Sequence, residues 1–312
     1  MASRIAQTFA RLSADKRPGL VTYTTAGDPD LATSALVLEA LDRAGADVIE
    51  VGVPFSDPLA DGPVIQRATE RALAKGGSLR ASLALVEQVR PRVKAPIVLF
   101  SYANPLLRMG MEQFARRAVS AGVDGVLALD LPIEEAGPFR ETLDRSGLDT
   151  IFLLSPTTSE ARIRKAVELG RGFLYGISRL GVTGARDQVA ADARALVERI
   201  RAHTALPIAL GFGISRPEHV AQVGAYADAA VVGSALVALI AEAGQSPDLV
   251  ERVEAFVRSM RSACGPREHS ESAPAAEGDN ARRSAGSSGG SLEPDAWGWG
   301  PTRVKDVPRE HS

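Results

Sequence analysis

The sequence predicts a (β/α)8, or TIM, barrel, on three observations. Short apolar runs of four to six residues alternate with longer amphipathic stretches. Eight such runs fall within about 260 residues, the usual size of one barrel. No glycine-rich dinucleotide fingerprint follows the first run, which disfavours the open, doubly wound sheet. The runs lie at residues 20–24, 48–51, 97–100, 125–129, 150–154, 172–177, 207–210 and 229–232. They are near-continuous in aliphatic residues rather than alternating, as parallel strands covered on both faces should be.

Between the runs, residues 31–44, 111–121, 134–145, 159–169 and 188–202 carry apolar positions three and four apart, the period of helices packed on a sheet. Asp30, Ser159 and Ser215 are expected N-caps, and Gly45, Gly122, Gly147 and Gly170 expected helix stops. Residues 1–264 are assigned to a single barrel domain. At Gly265 the composition shifts to Ser, Gly, Pro, Glu and Arg. Such a segment buries too little apolar surface to offset its ordering entropy, so 265–312 is expected to be a disordered C-terminal tail. Trp297 and Trp299, the only two tryptophans, lie there; a partner-binding motif is the less favoured reading of that pair.

Bulk properties exclude several function classes. The 312 residues are 45% hydrophobic and 24% charged with a net charge of −2, so no global field favours nucleic acid or an anionic membrane. One cysteine, Cys264, precludes an internal disulfide and fits a reducing compartment. Residues 1–8 lack a basic segment followed by an apolar run, and no stretch is apolar enough to span a bilayer, so a cytoplasmic protein is expected.

In a barrel the active site gathers where the strands exit. After the second run stands Glu50-Val51-Gly52-Val53-Pro54-Phe55-Ser56-Asp57-Pro58-Leu59-Ala60-Asp61-Gly62. Glu50 is a carboxylate inside an apolar strand, where ionisation is costly without compensation. Pairing with an arginine would make it structural; catalysis is the favoured reading. Asp61 ends a Pro/Gly-rich loop long enough to fold over the barrel mouth. The sixth run exits into Ser178-Arg179-Leu180-Gly181-Val182-Thr183-Gly184, the seventh into Gly211-Phe212-Gly213-Ile214-Ser215, and the eighth into Gly233-Ser234 before an apolar helix at 235–241. Glycines admit an anion close to the backbone and a helix N-terminus offers free N–H groups, so these exits together point to a phosphate. His203 and His219 fall on helical segments and His269 and His311 in the tail. Histidine acid–base catalysis and a His-ligated metal are therefore disfavoured, leaving proton transfer to carboxylates.

The long loop from Glu50 to Gly62 resembles the signature of tryptophan synthase α chains. Thr25-Ala26-Gly27-Asp28-Pro29, Tyr102-Ala103-Asn104-Pro105, Asp130-Leu131-Pro132 and the sixth and seventh exits match further motifs of that family in order. The resemblance implies a lyase that splits indole-3-glycerol phosphate into indole and glyceraldehyde 3-phosphate by a retro-aldol step. It implies Glu50 as the general acid–base, Asp61 as acceptor of the indole N–H, and Tyr175 as a positioning group. Thr183, Gly184, Gly213, Gly233 and Ser234 would serve the substrate and its phosphate, with Tyr23 and Phe212 walling the ring. It implies no cofactor or metal in this chain, and a pyridoxal-phosphate (PLP) β subunit as partner in an α2β2 assembly. Asp57, Pro58, Tyr102, Asn104, Asp130 and Pro132 would form the contact surface, with Asp57 coupling the sites. Residues 179–188 resemble a lid that Thr183 ties to Asp61. Another phosphate-binding barrel enzyme, or a non-catalytic regulatory subunit, remains as the alternative.

Overall fold

The structure is a computed structural model that describes residues 2–177, 186–211 and 213–266, with the backbone alone for 186–190. Eight parallel strands close on themselves in chain order, β1 (Gly19–Thr25), β2 (Val48–Gly52), β3 (Ile97–Ser101), β4 (Gly125–Ala128), β5 (Asp149–Leu154), β6 (Leu174–Ile177), β7 (Ile208–Gly211) and β8 (Ala229–Val232), and β1 pairs with β8. The described helices are α1 (Arg4–Ala14), α2 (Leu31–Arg43), α3 (Pro63–Ala74), α4 (Leu79–Val89), α5 (Ala103–Met109), α6 (Met111–Ala121), α7 (Ala136–Arg145), α8 (Glu160–Leu169), α9 (Arg186–Arg201), α10 (Pro217–Gly224), α11 (Ser234–Ala243) and α12 (Leu249–Ser262).

Strand alternation sorts the core into two shells. Leu20, Ile49, Val51, Ile97 and Leu99 point outward and pack beneath the helices. Val21, Val48, Val98, Leu127, Ile151 and Val231 point inward and fill the barrel, as a packed barrel interior requires. The N-terminal end is plugged by α1, whose Ile5, Phe9 and Leu12 join that inner cluster; Phe9 and Phe173 rings lie 5.6 Å apart. Helix α1 is not among the helices expected from the sequence, although Ser3 caps it by accepting from Ala6 N and its apolar residues keep helical spacing.

Several expected boundaries are corrected. Asp30 and Ser159 do cap α2 and α8, accepting from Thr33 N and Arg162 N. Ser215 does not cap α10: Pro217 occupies the first helical turn and holds Arg216 extended (φ −141°, ψ 154°) as the N-cap. Gly45, Gly122 and Gly147 adopt positive φ at the ends of α2, α6 and α7, whereas Gly170 ends α8 extended at φ −68°. The stretch 134–145 divides into a 3-10 turn, Ile133–Glu135, and α7. Gly172, expected to open the sixth strand, sits at φ +73° two residues before β6. His203, expected on a helix, lies just past α9 and bonds Glu160 at 2.9 Å. From residue 267 onward the expected tail lies outside the described residues.

Candidate active site

The strands' C-terminal ends open on a cavity of about 360 Å³ whose lining includes Tyr23, Glu50, Asp61, Phe100, Tyr175 and Gly233. Glu50 sits at the middle of β2, in register with Tyr23 on β1 and Val98 on β3. It is 0% exposed, and neither carboxyl oxygen has a hydrogen-bond partner among the described residues. An arginine partner, which would make it a structural glutamate, is therefore missing among those residues. Burial raises its pKa to about 8, so the free site holds Glu50 as the neutral acid at pH 7.

Asp61 reaches the same cavity from the loop between β2 and α3. That loop is knotted by Asp61 N donating to Pro58 O at 3.1 Å. The Gln66 amide of α3 donates to Pro58 O and Asp61 O at 3.2 and 2.9 Å. The Tyr102 hydroxyl donates to Asp61 Oδ2 at 3.1 Å and accepts from Ala60 N at 3.0 Å. Burial raises the Asp61 pKa and the Tyr102 bond opposes that rise. The two carboxyls thus share one apolar cavity with unequal environments, the arrangement that lets one act as an acid while the other stays charged.

The phenols are seated by glycines. A Cβ on Gly52 would collide with the Tyr23 hydroxyl, and one on Gly211 would lie 2.5 Å from the Tyr175 hydroxyl. Tyr23 meets Phe100 edge to face at 5.3 Å. Burial raises both phenols, and the nearby carboxylates add to this, Asp61 chiefly for Tyr23 and Glu50 for Tyr175. Both therefore stay protonated. Ile65, Leu129, Leu153 and Ile177, which the sequence reading did not select, supply apolar wall; each sits at or just beyond a strand end or faces it from α3, a rule that would have found them.

The expected phosphate residues Gly213, Gly233 and Ser234 also line the cavity. Gly213 needs its positive φ of 74°. Gly233 precedes α11, and no described side chain caps that helix, so its first N–H groups can receive an anion. Thr183, Gly184 and Phe212 lie outside the described residues, as does most of the expected lid.

The expected contact residues separate. Asp57, Asn104, Asp130 and Pro132 are exposed and Pro58 half-buried, with Leu59 92% exposed beside them. Tyr102 differs from them: it is only 5% exposed, and its hydroxyl is bonded to Ala60 N and Asp61 Oδ2 of the neighbouring loop. Asp130 has a local duty as well, accepting from Ala103 N at 2.7 Å at the start of α5. Among the described residues, no group of three or more His, Cys, Asp or Glu side chains could hold a metal ion. Nor is any described helix long and apolar enough to cross a membrane.

Fold and cavity together define a (β/α)8-barrel protein with a two-carboxylate pocket and, at its C-terminal rim, a helix N-terminus that no described side chain caps. The family pattern of the tryptophan synthase alpha chain matches residues 9–265, and the chain belongs to that family, an enzyme subunit of tryptophan biosynthesis. It is 52% identical over 259 residues to the tryptophan synthase alpha chain of Geotalea uraniireducens, covering 83% of this chain and 97% of that one. The Arabidopsis thaliana alpha chain is 42% identical over 260 residues, covering 83% and 94%. Among solved structures, the alpha subunit of Legionella pneumophila superposes with a TM-score of 0.79 at 39% identity, covering 85% of this chain and 99% of that one.

Proposed function

We propose that this chain cleaves indole-3-glycerol phosphate into indole and glyceraldehyde 3-phosphate, with Glu50 and Asp61 as its catalytic carboxyls. The observation that carries the reading is that Glu50, fully buried and with no hydrogen-bond partner among the described residues, shares an apolar cavity with Asp61; burial keeps it neutral at pH 7. Neutral Glu50 delivers its proton to indole C3, and the ring nitrogen takes up positive charge. Asp61, ionised, accepts the N–H bond and stabilises that cation. The Glu50 carboxylate then removes the side-chain hydroxyl proton and a carbonyl forms. The bond from C3 to the side chain breaks, and its electron pair returns to the ring. Glu50 ends protonated, as it began, so the step balances without another reactant.

Tyr175 helps position Glu50 and substrate, and Tyr23, Phe100 and Phe212 wall the ring. Gly184, Gly213, Gly233 and Ser234 hold the phosphate through backbone N–H groups. Thr183 ties a closing lid to Asp61, excluding water. Asp57, Pro58, Asn104, Asp130 and Pro132, with exposed Leu59 among them, meet a β subunit that carries pyridoxal phosphate and receives the indole, in an α2β2 assembly in the cytoplasm. The catalytic unit is residues 1–264.

The test is indole release from indole-3-glycerol phosphate by the purified chain, alone and with a β subunit. Release that vanishes in Asp61→Ala is the expected result. Absence of release from the wild-type chain in both settings overturns the reading.

A further inference from the structure

Tyr102 carries more of the site than a contact surface would ask of it. Its backbone is pinned on three sides. It follows β3 directly, its carbonyl accepts from Ser101 Oγ at 2.9 Å, and Asp130 holds the next amide, Ala103 N, at 2.7 Å. Its ring packs on Phe55 at 5.1 Å between centroids, on the same loop that carries Asp61. Its hydroxyl makes two bonds to that loop, accepting from Ala60 N and donating to Asp61 Oδ2. No described residue bonds Asp61 Oδ1, so that oxygen is left to take a donor from the cavity.

We infer that Tyr102 is a positioning residue: its hydroxyl fixes the Asp61 carboxylate by one oxygen and presents the other to the N–H of the substrate ring. The inference rests on the proposed cleavage reaction. A rigid strand end thereby governs a carboxylate on an otherwise long loop. A donor that favours the charged form also keeps Asp61 ionised against the burial that disfavours it. Among the described residues, the other titratable groups lining the cavity with Asp61 are Tyr23 on β1, Glu50 on β2 and Tyr175 on β6. Tyr23 and Tyr175 stay protonated, and Glu50 is neutral until about pH 8, so none of them carries a charge in acid.

The experiment compares wild type, Tyr102→Phe and Phe55→Leu by pH–rate profile and by NMR titration of the Asp61 carboxyl, assigned through Asp61→Asn. Tyr102→Phe is expected to lower kcat about 10-fold, as a displaced reacting group does, with KM little changed. It should raise the Asp61 pKa, and the acid limb with it, by about half to one unit. Phe55→Leu, which keeps the hydroxyl, should leave the limb in place. 3-Fluorotyrosine at position 102, a stronger donor of the same shape, should move the limb down, and it gives the answer if Tyr102→Phe does not fold. An unmoved Asp61 titration in Tyr102→Phe or in the fluorotyrosine protein, or equal movement in Phe55→Leu, overturns the inference. The NMR readout needs no turnover. A wild-type chain that releases no indole yet shows the shift therefore fails the proposed function alone.

Discussion

Replacing Glu50 by glutamine should abolish turnover and stabilise the fold, with a stability gain that grows with pH. The folded-state pKa of Glu50 is about 8 against an ordinary 4.5. The folded chain therefore keeps a proton that the unfolded chain releases between those values, and raising pH through that window favours unfolding. At ~1.4 kcal/mol per unit, the full displacement sets a ceiling on the order of 5 kcal/mol. Water at the cavity mouth and local relaxation reduce the penalty of a buried charge, so a difference of about 2 kcal/mol is expected. The introduced glutamine is isosteric with the neutral acid and buries a comparable polar group, so near pH 4.5 the two proteins should be nearly equally stable. Urea unfolding of both at pH 5, 6, 7 and 8 measures this: the wild type should fall progressively below Glu50→Gln. Indole release by the variant should drop by about two to four orders of magnitude, while a phosphate-bearing ligand still binds. In the wild type, kcat/KM should decline above pH about 8, where Glu50 loses the proton it delivers, and in acid, where Asp61 becomes protonated. Parallel stability curves from pH 5 to 8, or near-normal turnover in the variant, would overturn this account of Glu50.

Three further outcomes are expected. Ser234→Asp places a carboxylate at the uncapped start of α11, where the helix dipole favours it by ~0.3–1 kcal/mol. It should hold or raise the melting temperature while raising KM at least 10-fold by repelling the phosphate, and an unchanged KM would remove this helix from the phosphate site. Asp57→Ala should reduce the ratio of β-activated to basal turnover more than it reduces the basal rate, since exposed Asp57 shares a loop with Asp61; equal loss of both rates would deny it a coupling role. Deleting residues 265–312 should leave the melting temperature within a few degrees and indole release close to that of the full chain, because that segment is poor in apolar residues. A loss of more than 10-fold in activity would give it a part in the site.

The strands were legible because a barrel strand is buried on both faces and leaves a continuous aliphatic run; each of the eight was located within two residues. Asp30 and Ser159 were legible as caps because capping is local chemistry, and Ser215 failed because Pro217 reset the helix start by an equally local rule. Glu50 announced itself as a charge in an apolar run. The barrel, its strand exits and the two carboxyls could thus be read from the chain alone, since period, composition and short motifs are properties of neighbours along it. Folding was needed to show that Glu50 lacks a partner among the described residues and titrates near pH 8. Folding also revealed that α1 plugs the barrel floor, and that Tyr102, 41 residues from Asp61 along the chain, holds that carboxylate. Burial, dielectric and hydrogen-bond partners arise from residues distant in sequence, and closure of the barrel is what brings them within reach.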